Sequence, residues 1–282
     1  MPKLYYPFVQ DALRALENVR QAAVLITIDS FEGSSPREVG AWMLVFAGEV
    51  MGTVGGGNLE FQAIAHGREL LASLGDDIRR YPLGPALGQC CGGVVHLKFV
   101  YIGPEDAIKR EAACALLERS RALNSLKVAL FGGGHVGKAI VQVLGRLPCA
   151  VQWLDSRDEI FPVDVPANVQ CAHSDPVQAA VQDIAAGSHL LLMSFSHAED
   201  LDILIAALLR QRQKNDLGFI GLIGSKTKWA TFRHRLELRG FSAQEIAQVT
   251  CPIGIDAVAG KEPEVIAVSV AAQLLQLRAL SA

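Results

Sequence analysis

The segment Lys127–Lys138 reads KVALFGGGHVGK, and it decides the fold of the second half of the chain. An apolar run leads into Gly132, Gly134 and Gly137, which have GxGxxG spacing, and a helical pattern follows. In such a loop the first glycine makes a tight turn, the second admits a phosphate and the third lets helix and strand pack. Asp155 ends the next predicted strand about 20 residues on, where an acidic side chain takes ribose hydroxyls. The sequence therefore predicts a Rossmann-type fold.

Outward from this loop, near-continuous apolar strands alternate with helical segments, which favours a parallel sheet covered on both faces. The predicted strands are 127–131, 150–155, 168–172, 188–195 and 217–223, and the predicted helices are 136–147, 176–186, 200–213, 228–239 and 263–280. We therefore expect residues 123–282 to form a Rossmann-like domain that ends in a helix.

In the first half of the chain the predicted strands and helices follow a different order, which is typical of an α+β unit. The predicted elements are a helix at 7–20, a strand at 22–28, a hairpin with strands 42–46 and 49–54, a helix at 59–74 and a strand at 94–102. We expect an N-terminal α+β domain over 1–104 and a connecting helix over 105–122. The fold class is α/β, with an α+β domain followed by a Rossmann-like domain.

Composition excludes several classes of protein. Half of the 282 residues are hydrophobic and the net charge is -3, so the chain folds and has no basic surface for nucleic acid. Its first residues lack the pattern of a secretory signal, and no apolar segment is long enough to span a bilayer. We expect a cytoplasmic protein with neither nucleic acid nor membrane as a partner.

The six cysteines are unevenly spaced, at 90, 91, 114, 149, 171 and 251, which is not the pattern of a disulfide framework. Two of them are adjacent in the string GQCCGG at 88–93. Three glycines within six residues would weaken a core strand, so we expect Cys90 and Cys91 on an accessible loop. Paired thiols there suit a soft metal or a transferable sulfur.

Two further segments follow predicted strands of the parallel sheet, at the edge where ligands bind in such sheets. His197 follows the strand at 188–195, and its alternative interpretation is a surface histidine at a helix start. Ser225 and Lys226 follow the strand at 217–223 and offer either a second anion contact or a helix start with solvated lysines.

Taken together, these strings resemble the XdhC (XdhC/CoxI/CoxF) family. The strings that carry the resemblance run in one order along the chain: GSSPR at 33–37 with Gly40, GTVGGGNLE at 52–60, GQCCGG at 88–93, the glycines from 132 to 137, GLIGSK at 221–226, and CPIG at 251–254 followed by 263–275. One departure is Asn58, at a position where relatives often carry histidine or cysteine.

The resemblance implies an XdhC/CoxI-type N-terminal domain and an accessory role without turnover of its own. Such a protein is a chaperone that binds the molybdenum cofactor, a molybdopterin, and protects it. It works with a cysteine desulfurase that sulfurates the cofactor, and it delivers the product to the molybdenum subunit of apo xanthine dehydrogenase, in purine catabolism. The resemblance also implies a homodimer.

The chemistry of the cofactor suggests where each end binds. Molybdopterin is a phosphorylated pterin whose dithiolene sulfurs hold the metal, so a carrier needs an anion cradle and soft ligands. We expect a cleft between the domains, with Cys90 and Cys91 as metal ligands or sulfur acceptors. The expected cofactor-binding residues are Cys90, Cys91, Gln89, Arg37, Gly56, Gly57, Gly132, Gly134, His135, Gly137, Asp155, His197, Ser225, Lys226 and Cys251.

Other interpretations stay open at this point. Arg37 offers a planar fork of donors to phosphate or pterin, or it is a solvated turn residue. The Rossmann-type loop takes NAD, the phosphate of the cofactor or neither. The second candidate function is an NAD-dependent oxidoreductase with a redox-active cysteine pair. A thiol oxidoreductase or free-standing sulfur carrier is less favoured, because a disulfide between adjacent cysteines closes a strained ring.

Overall fold

The structure of the protein is a computed structural model that describes residues 9–17, 21–84, 93–124 and 126–281. The chain divides into two compact units, Met1–Asn124 (unit 1) and Ser125–Ala282 (unit 2). No helix within the described ranges is both long enough and apolar enough to cross a membrane.

Unit 1 is an antiparallel five-stranded sheet with helices on both faces. Its elements are α1 (Val9–Glu17), β1 (Ala23–Glu32), β2 (Trp42–Val45), β3 (Val50–Gly52), α2 (Gly57–Ser73), β4 (Asp77–Pro82), β5 (Val94–Ile102) and α3 (Ala107–Asn124). The strand order is β3-β2-β1-β5-β4. The predicted hairpin is confirmed as the antiparallel pair β2 and β3.

The alternation of side chains along β1 explains the layers of unit 1. Val24 and Ile26 belong to a core that includes Leu59 of α2, whereas Leu25 belongs to a second core with helices α1 and α3. Leu117 of α3 is fully buried in that second core. Helix α3, which we expected to connect the domains, is thus part of unit 1.

Strand β4 was not predicted, and its composition explains why. Its sequence is DIRRYP, and within it only Tyr81 is buried. As an edge strand paired with β5 alone, it has no alternating apolar pattern to reveal it.

Unit 2 is a six-stranded parallel sheet covered on both faces. Its strands are β6 (Leu126–Phe131), β7 (Cys149–Asp155), β8 (Val169–His173), β9 (His189–Leu192), β10 (Ile220–Leu222) and β11 (Val249–Thr250). Its α-helices are α4 (His135–Leu144), α5 (His197–Lys214), α6 (Lys226–Glu237), α7 (Ala243–Ile246) and α8 (Pro263–Ser281). The strand order, β11-β10-β9-β6-β7-β8, is that of the Rossmann fold. The predicted α/β class is confirmed.

Three details of unit 2 differ from the sequence prediction. The segment predicted as an α-helix at 176–186 is a 3-10 helix, Val177–Asp183, whose buried residues are Val177, Ala180 and Val181. Strand β9 ends before Met193, earlier than predicted. Elements α7 and β11 were not predicted, because four and two residues are too few to show a period.

Candidate functional site

The glycine loop of unit 2 has the close contacts that its spacing predicts. A Cβ at Gly132 would lie 2.0 Å from the carbonyl oxygen of Met193, and a Cβ at Gly137 would lie 2.0 Å from that of Gly132. Gly132 also has φ +122, which L side chains rarely adopt. Gly134 differs, because its Cβ would meet no atom within 4 Å. The loop is therefore tightly packed beneath Gly132 and Gly137 and open beside Gly134.

Asp155 lies at the end of β7, as predicted, and its carboxylate is already hydrogen-bonded. The Gly133 N–H donates to Oδ2 at 2.6 Å, and the Arg157 N–H donates to Oδ1 at 2.9 Å. The Arg157 guanidinium adds a bidentate pair, Nε to Oδ1 at 2.8 Å and Nη2 to Oδ2 at 2.9 Å. Burial alone would raise the pKa of Asp155, but these four donors outweigh it and lower that pKa below its ordinary value.

A buried ion pair lies at the same edge of the sheet. Lys228 Nζ is 2.6 Å from Asp200 Oδ2 and also donates to the Ile223 carbonyl at 2.9 Å. The Ser194 N–H and hydroxyl each donate to Asp200 Oδ1 at 2.7 Å. The pair joins α5 and α6 to the ends of β9 and β10. This ion pair was not predicted, since a single Asp or Lys at a helical position has no distinguishing pattern.

The other predicted residues at this edge lie at helix starts. Ser225 caps α6 by accepting from the Lys228 N–H at 3.2 Å, and Lys226, the first residue of α6, is exposed. His197 is exposed at the start of α5, with its ring centroid 6.3 Å from that of Phe232. His135 is exposed at the start of α4. A ligand role for these residues remains a prediction.

Cys251 follows β11 and packs, partly buried, against the core beneath α5 and α6. Burial raises the pKa of this thiol to about 11; Lys228 lowers it and Asp200 raises it, but each has a smaller effect than burial. The free thiol is therefore protonated at neutral pH, and a ligand role for Cys251 remains a prediction.

The glycine loop of unit 1 binds a carboxylate of its own chain. Glu60, a buried residue in the first turn of α2, accepts from the Val54 N–H at 3.2 Å, from the Gly56 N–H at 3.1 Å and from the Thr53 hydroxyl. Gly56 was expected to bind the cofactor, and its pairing with Glu60 was not predicted. The signal was a glutamate three residues after the last glycine of the loop, at a helix N-terminus where carboxylates are favourable.

Three of the family-like strings converge within unit 1. A Cβ at Gly55 would lie 2.4 Å from Pro36 and 3.8 Å from the Arg37 side chain, and a Cβ at Gly93 would lie 2.0 Å from the Ser34 carbonyl oxygen. The turn 33–37, the loop 55–57 and the residue at the end of the GQCCGG string therefore lie side by side. The Arg37 side chain forms a bidentate ion pair with Glu38, Nε to Oε2 at 3.0 Å and Nη2 to Oε1 at 2.9 Å.

Gln89, Cys90 and Cys91 lie outside the described residues. The segment that contains them joins two neighbouring antiparallel strands, β4 and β5, in which Pro82 pairs with Val94. Its ends are tied together, because the Leu83 N–H donates to the Gly93 carbonyl at 2.7 Å. Among the residues described, no three His, Cys, Asp or Glu side chains are grouped to hold a metal ion.

Two observations test whether the chain fits a phosphorylated pterin. Helices α2 and α4 both begin after an open glycine, Gly56 and Gly134, with no side-chain cap, and such an uncapped helix start suits a phosphate. In unit 1, Glu60 accepts from two amides of the loop and adds a negative charge beside them. The fit for a phosphate is therefore at the α4 loop of unit 2 and not at the amides bonded to Glu60.

An antiparallel α+β unit followed by a parallel unit with a glycine loop defines a two-unit protein with a Rossmann-like C-terminal half. Residues 128–274 match the family model described as XdhC Rossmann domain, and residues 16–82 match that of the XdhC and CoxI family. The chain belongs to the XdhC family, as its sequence motifs indicated.

Two proteins are similar to this chain over most of its length. A crystal structure from Bacillus halodurans, described as a xanthine dehydrogenase, has a TM-score of 0.77 at 19% identity and covers 96% of both chains, so the two share a fold. The uncharacterized protein YqeB of Escherichia coli (strain K12) is 29% identical over 263 residues, which are 89% of this chain. The chain spans 42% of the length of YqeB, so it corresponds to a part of that relative.

Proposed function

We propose that this protein is an accessory protein for the maturation of a xanthine dehydrogenase-type enzyme, which binds the molybdenum cofactor, supports its sulfuration and delivers it. Its partners are the apo-enzyme and a cysteine desulfurase, and it catalyses no turnover of its own. Membership of the XdhC family supports this role, and so does the fold shared with the Bacillus halodurans structure.

One observation carries the proposal: the family-like strings of unit 1, distant in sequence, converge at Gly93, the last residue of the GQCCGG string. Gly93, two residues after Cys91, contacts the turn that holds Arg37, and that turn packs on Gly55. The cores of unit 1 lie between the sheet and its helices, so they do not explain why the Arg37 turn, the glycine loop and Gly93 lie together. This arrangement suits a binding site built on loops.

The molybdenum cofactor has a soft, oxidisable metal centre and a phosphate, and these two groups require different protein ligands. Cys90 and Cys91 would provide thiolates for the metal end or accept sulfur for transfer. Arg37, which is partly buried and paired with Glu38, would bind an oxygen-rich group through its planar fork of donors. The Gly134 amide and the start of α4 would bind phosphate.

A paired substitution tests the role of the dithiol in the full chain. Cys90→Ser with Cys91→Ser should reduce the bound molybdenum at least ~10-fold, measured by elemental mass spectrometry beside pterin fluorescence. Cys114→Ser is the matched control, because this thiol lies on α3 in unit 1 and packs against the core on the α1 and α3 side of the sheet. It should retain the metal.

The same preparations test delivery to an apo xanthine dehydrogenase. The wild-type protein should activate the apo-enzyme, and the double serine variant should not. Wild-type protein that carries neither pterin nor molybdenum after expression with the cofactor pathway would overturn the proposal. Unchanged metal content in the double variant would remove the two thiols from the mechanism.

A further inference from the structure

We propose that Arg157, by occupying the carboxylate of Asp155, is a specificity-determining residue that makes the Rossmann crevice reject ligands with a ribose diol, NAD included. The inference rests on the proposed function, because it specifies which form of the cofactor the α4 loop accepts. That form is a phosphate monoester without an attached nucleotide.

Asp155 already accepts as many hydrogen bonds as a carboxylate usually can. An ionised carboxylate offers about four lone-pair sites, and Asp155 accepts four hydrogen bonds, from Gly133 N–H, Arg157 N–H, Nε and Nη2. A dinucleotide binds this fold by donating ribose hydroxyls to the acid at the end of the second strand. Here those hydroxyls would have to displace donors that already satisfy the carboxylate.

Arg157 is held in place from more than one side. Its guanidinium carbon lies 4.5 Å from the centre of the Phe195 ring, and its negative neighbours include Glu199 as well as Asp155. The side chain of Asp155 is only 1% exposed, so the ion pair is sheltered on the carboxylate side. Removing Arg157 from this position would leave a buried carboxylate with fewer donors, which is costly.

The segment after Arg157 fills the space next to the carboxylate. A Cβ at Gly133 would lie 2.6 Å from Cγ1 and 2.8 Å from Cγ2 of Ile160, and 3.3 Å from Asp155 Oδ2. The neighbouring Phe161 packs edge-on against Trp153, with ring centroids 5.2 Å apart, which fixes this segment on the sheet. The nucleoside side of the crevice is therefore occupied by the chain itself, and the side beside Gly134 stays open.

Calorimetric titration of the full chain with NAD and with ADP-ribose tests the proposal. The wild-type protein should show no saturable binding up to about 1 mM, and Arg157→Ala should bind ADP-ribose at least ~10-fold more tightly. The double variant Asp155→Asn with Arg157→Ala should lose that gain, because its side chain no longer carries a carboxylate for the diol. Thermal unfolding checks that each variant is folded, and Ile160→Ala provides a second route that should gain affinity by opening the same space.

Each remaining outcome is decisive. Micromolar binding of NAD by the wild-type protein would overturn the proposal, and so would binding of NADP, since Arg157 would then read a 2′-phosphate. A folded Arg157→Ala variant without any gain would also overturn it. Mass analysis of the copurified pterin separates the two hypotheses: a dinucleotide form would contradict this inference alone, whereas absence of any pterin would contradict the proposed function and leave the NAD result standing.

Discussion

The two glycine loops have similar composition but are completed in different ways. In unit 1 the loop at 55–57 binds the carboxylate of Glu60, which lies in the first turn of α2, the helix that follows the loop. In unit 2 the loop at 132–134 binds Asp155, which comes from the neighbouring strand and is paired with Arg157. Neither α2 nor α4 has a side-chain cap, so the difference lies in the carboxylates.

The two carboxylates differ in charge balance, and on the proposed function that difference decides which loop accepts an external anion. Glu60, in the first turn of its own helix, adds a negative charge beside the unit 1 loop that complements the helix dipole. Asp155 is paired with Arg157, so we expect an external anion to be repelled less at the start of α4. Glycine content alone therefore does not identify a ligand site, and the following variants test the comparison.

The largest effect is expected from Gly132→Ala. The new Cβ would lie 2.0 Å from the Met193 carbonyl oxygen at a φ of +122, so clash and backbone strain together should cost more than about 3 kcal/mol. Hydrogen exchange on peptides from each unit would assign the loss to unit 2. Gly134→Ala is the matched control: its Cβ meets no atom within 4 Å, and the free energy of unfolding should change by less than about 1 kcal/mol.

A smaller effect is expected from Glu60→Ala in unit 1. The change removes the acceptor for the buried Val54 amide, the partly buried Gly56 amide and the Thr53 hydroxyl, which should cost about 2–3 kcal/mol in urea unfolding. Glu60→Gln, which keeps an acceptor oxygen, should cost less. Gln62→Ala, at an exposed position of the same helix, should change stability by less than about 0.5 kcal/mol. Equal stability of Glu60→Ala and wild type would remove the distinction between the loops.

The smallest effect is expected on the loss of stability at low pH. Since the folded pKa of Asp155 lies below its ordinary value of 3.8, its carboxylate contributes stability that is complete above that value and is lost as the pH falls through the folded pKa. Asp155→Asn should therefore lose less unfolding free energy than wild type between about pH 5 and pH 2. Arg157→Ala should behave similarly, because it removes the main donors. A wild-type acid profile in both variants would show that the pair contributes nothing.

The regular parts of this fold could be predicted from the sequence because they repeat. The run of apolar strands and the GxGxxG spacing determined the parallel sheet of unit 2, and Gly132 and Gly137 have the contacts that this spacing requires. Short or polar elements escaped prediction, β4 and β11 among them, because they are too exposed or too short to show a period.

The candidate site was predictable in its residue types and less so in its pairings. The acid at the end of β7 was expected at Asp155, but its partner Arg157 was not, since an arginine two residues after an acid has no fixed geometry in sequence. The pair of Asp200 and Lys228, 28 positions apart, depends on where α5 and α6 pack. The role of Cys90 and Cys91 remains a prediction.

By itself, the sequence determined the family and the Rossmann character of the second half, because both follow from motifs and spacing that are local in the chain. The tertiary structure alone decided which charges meet. The carboxylates reach the loop amides only after the chain has packed, and that packing places the charge of Glu60 beside one loop and the ion pair of Asp155 with Arg157 beside the other.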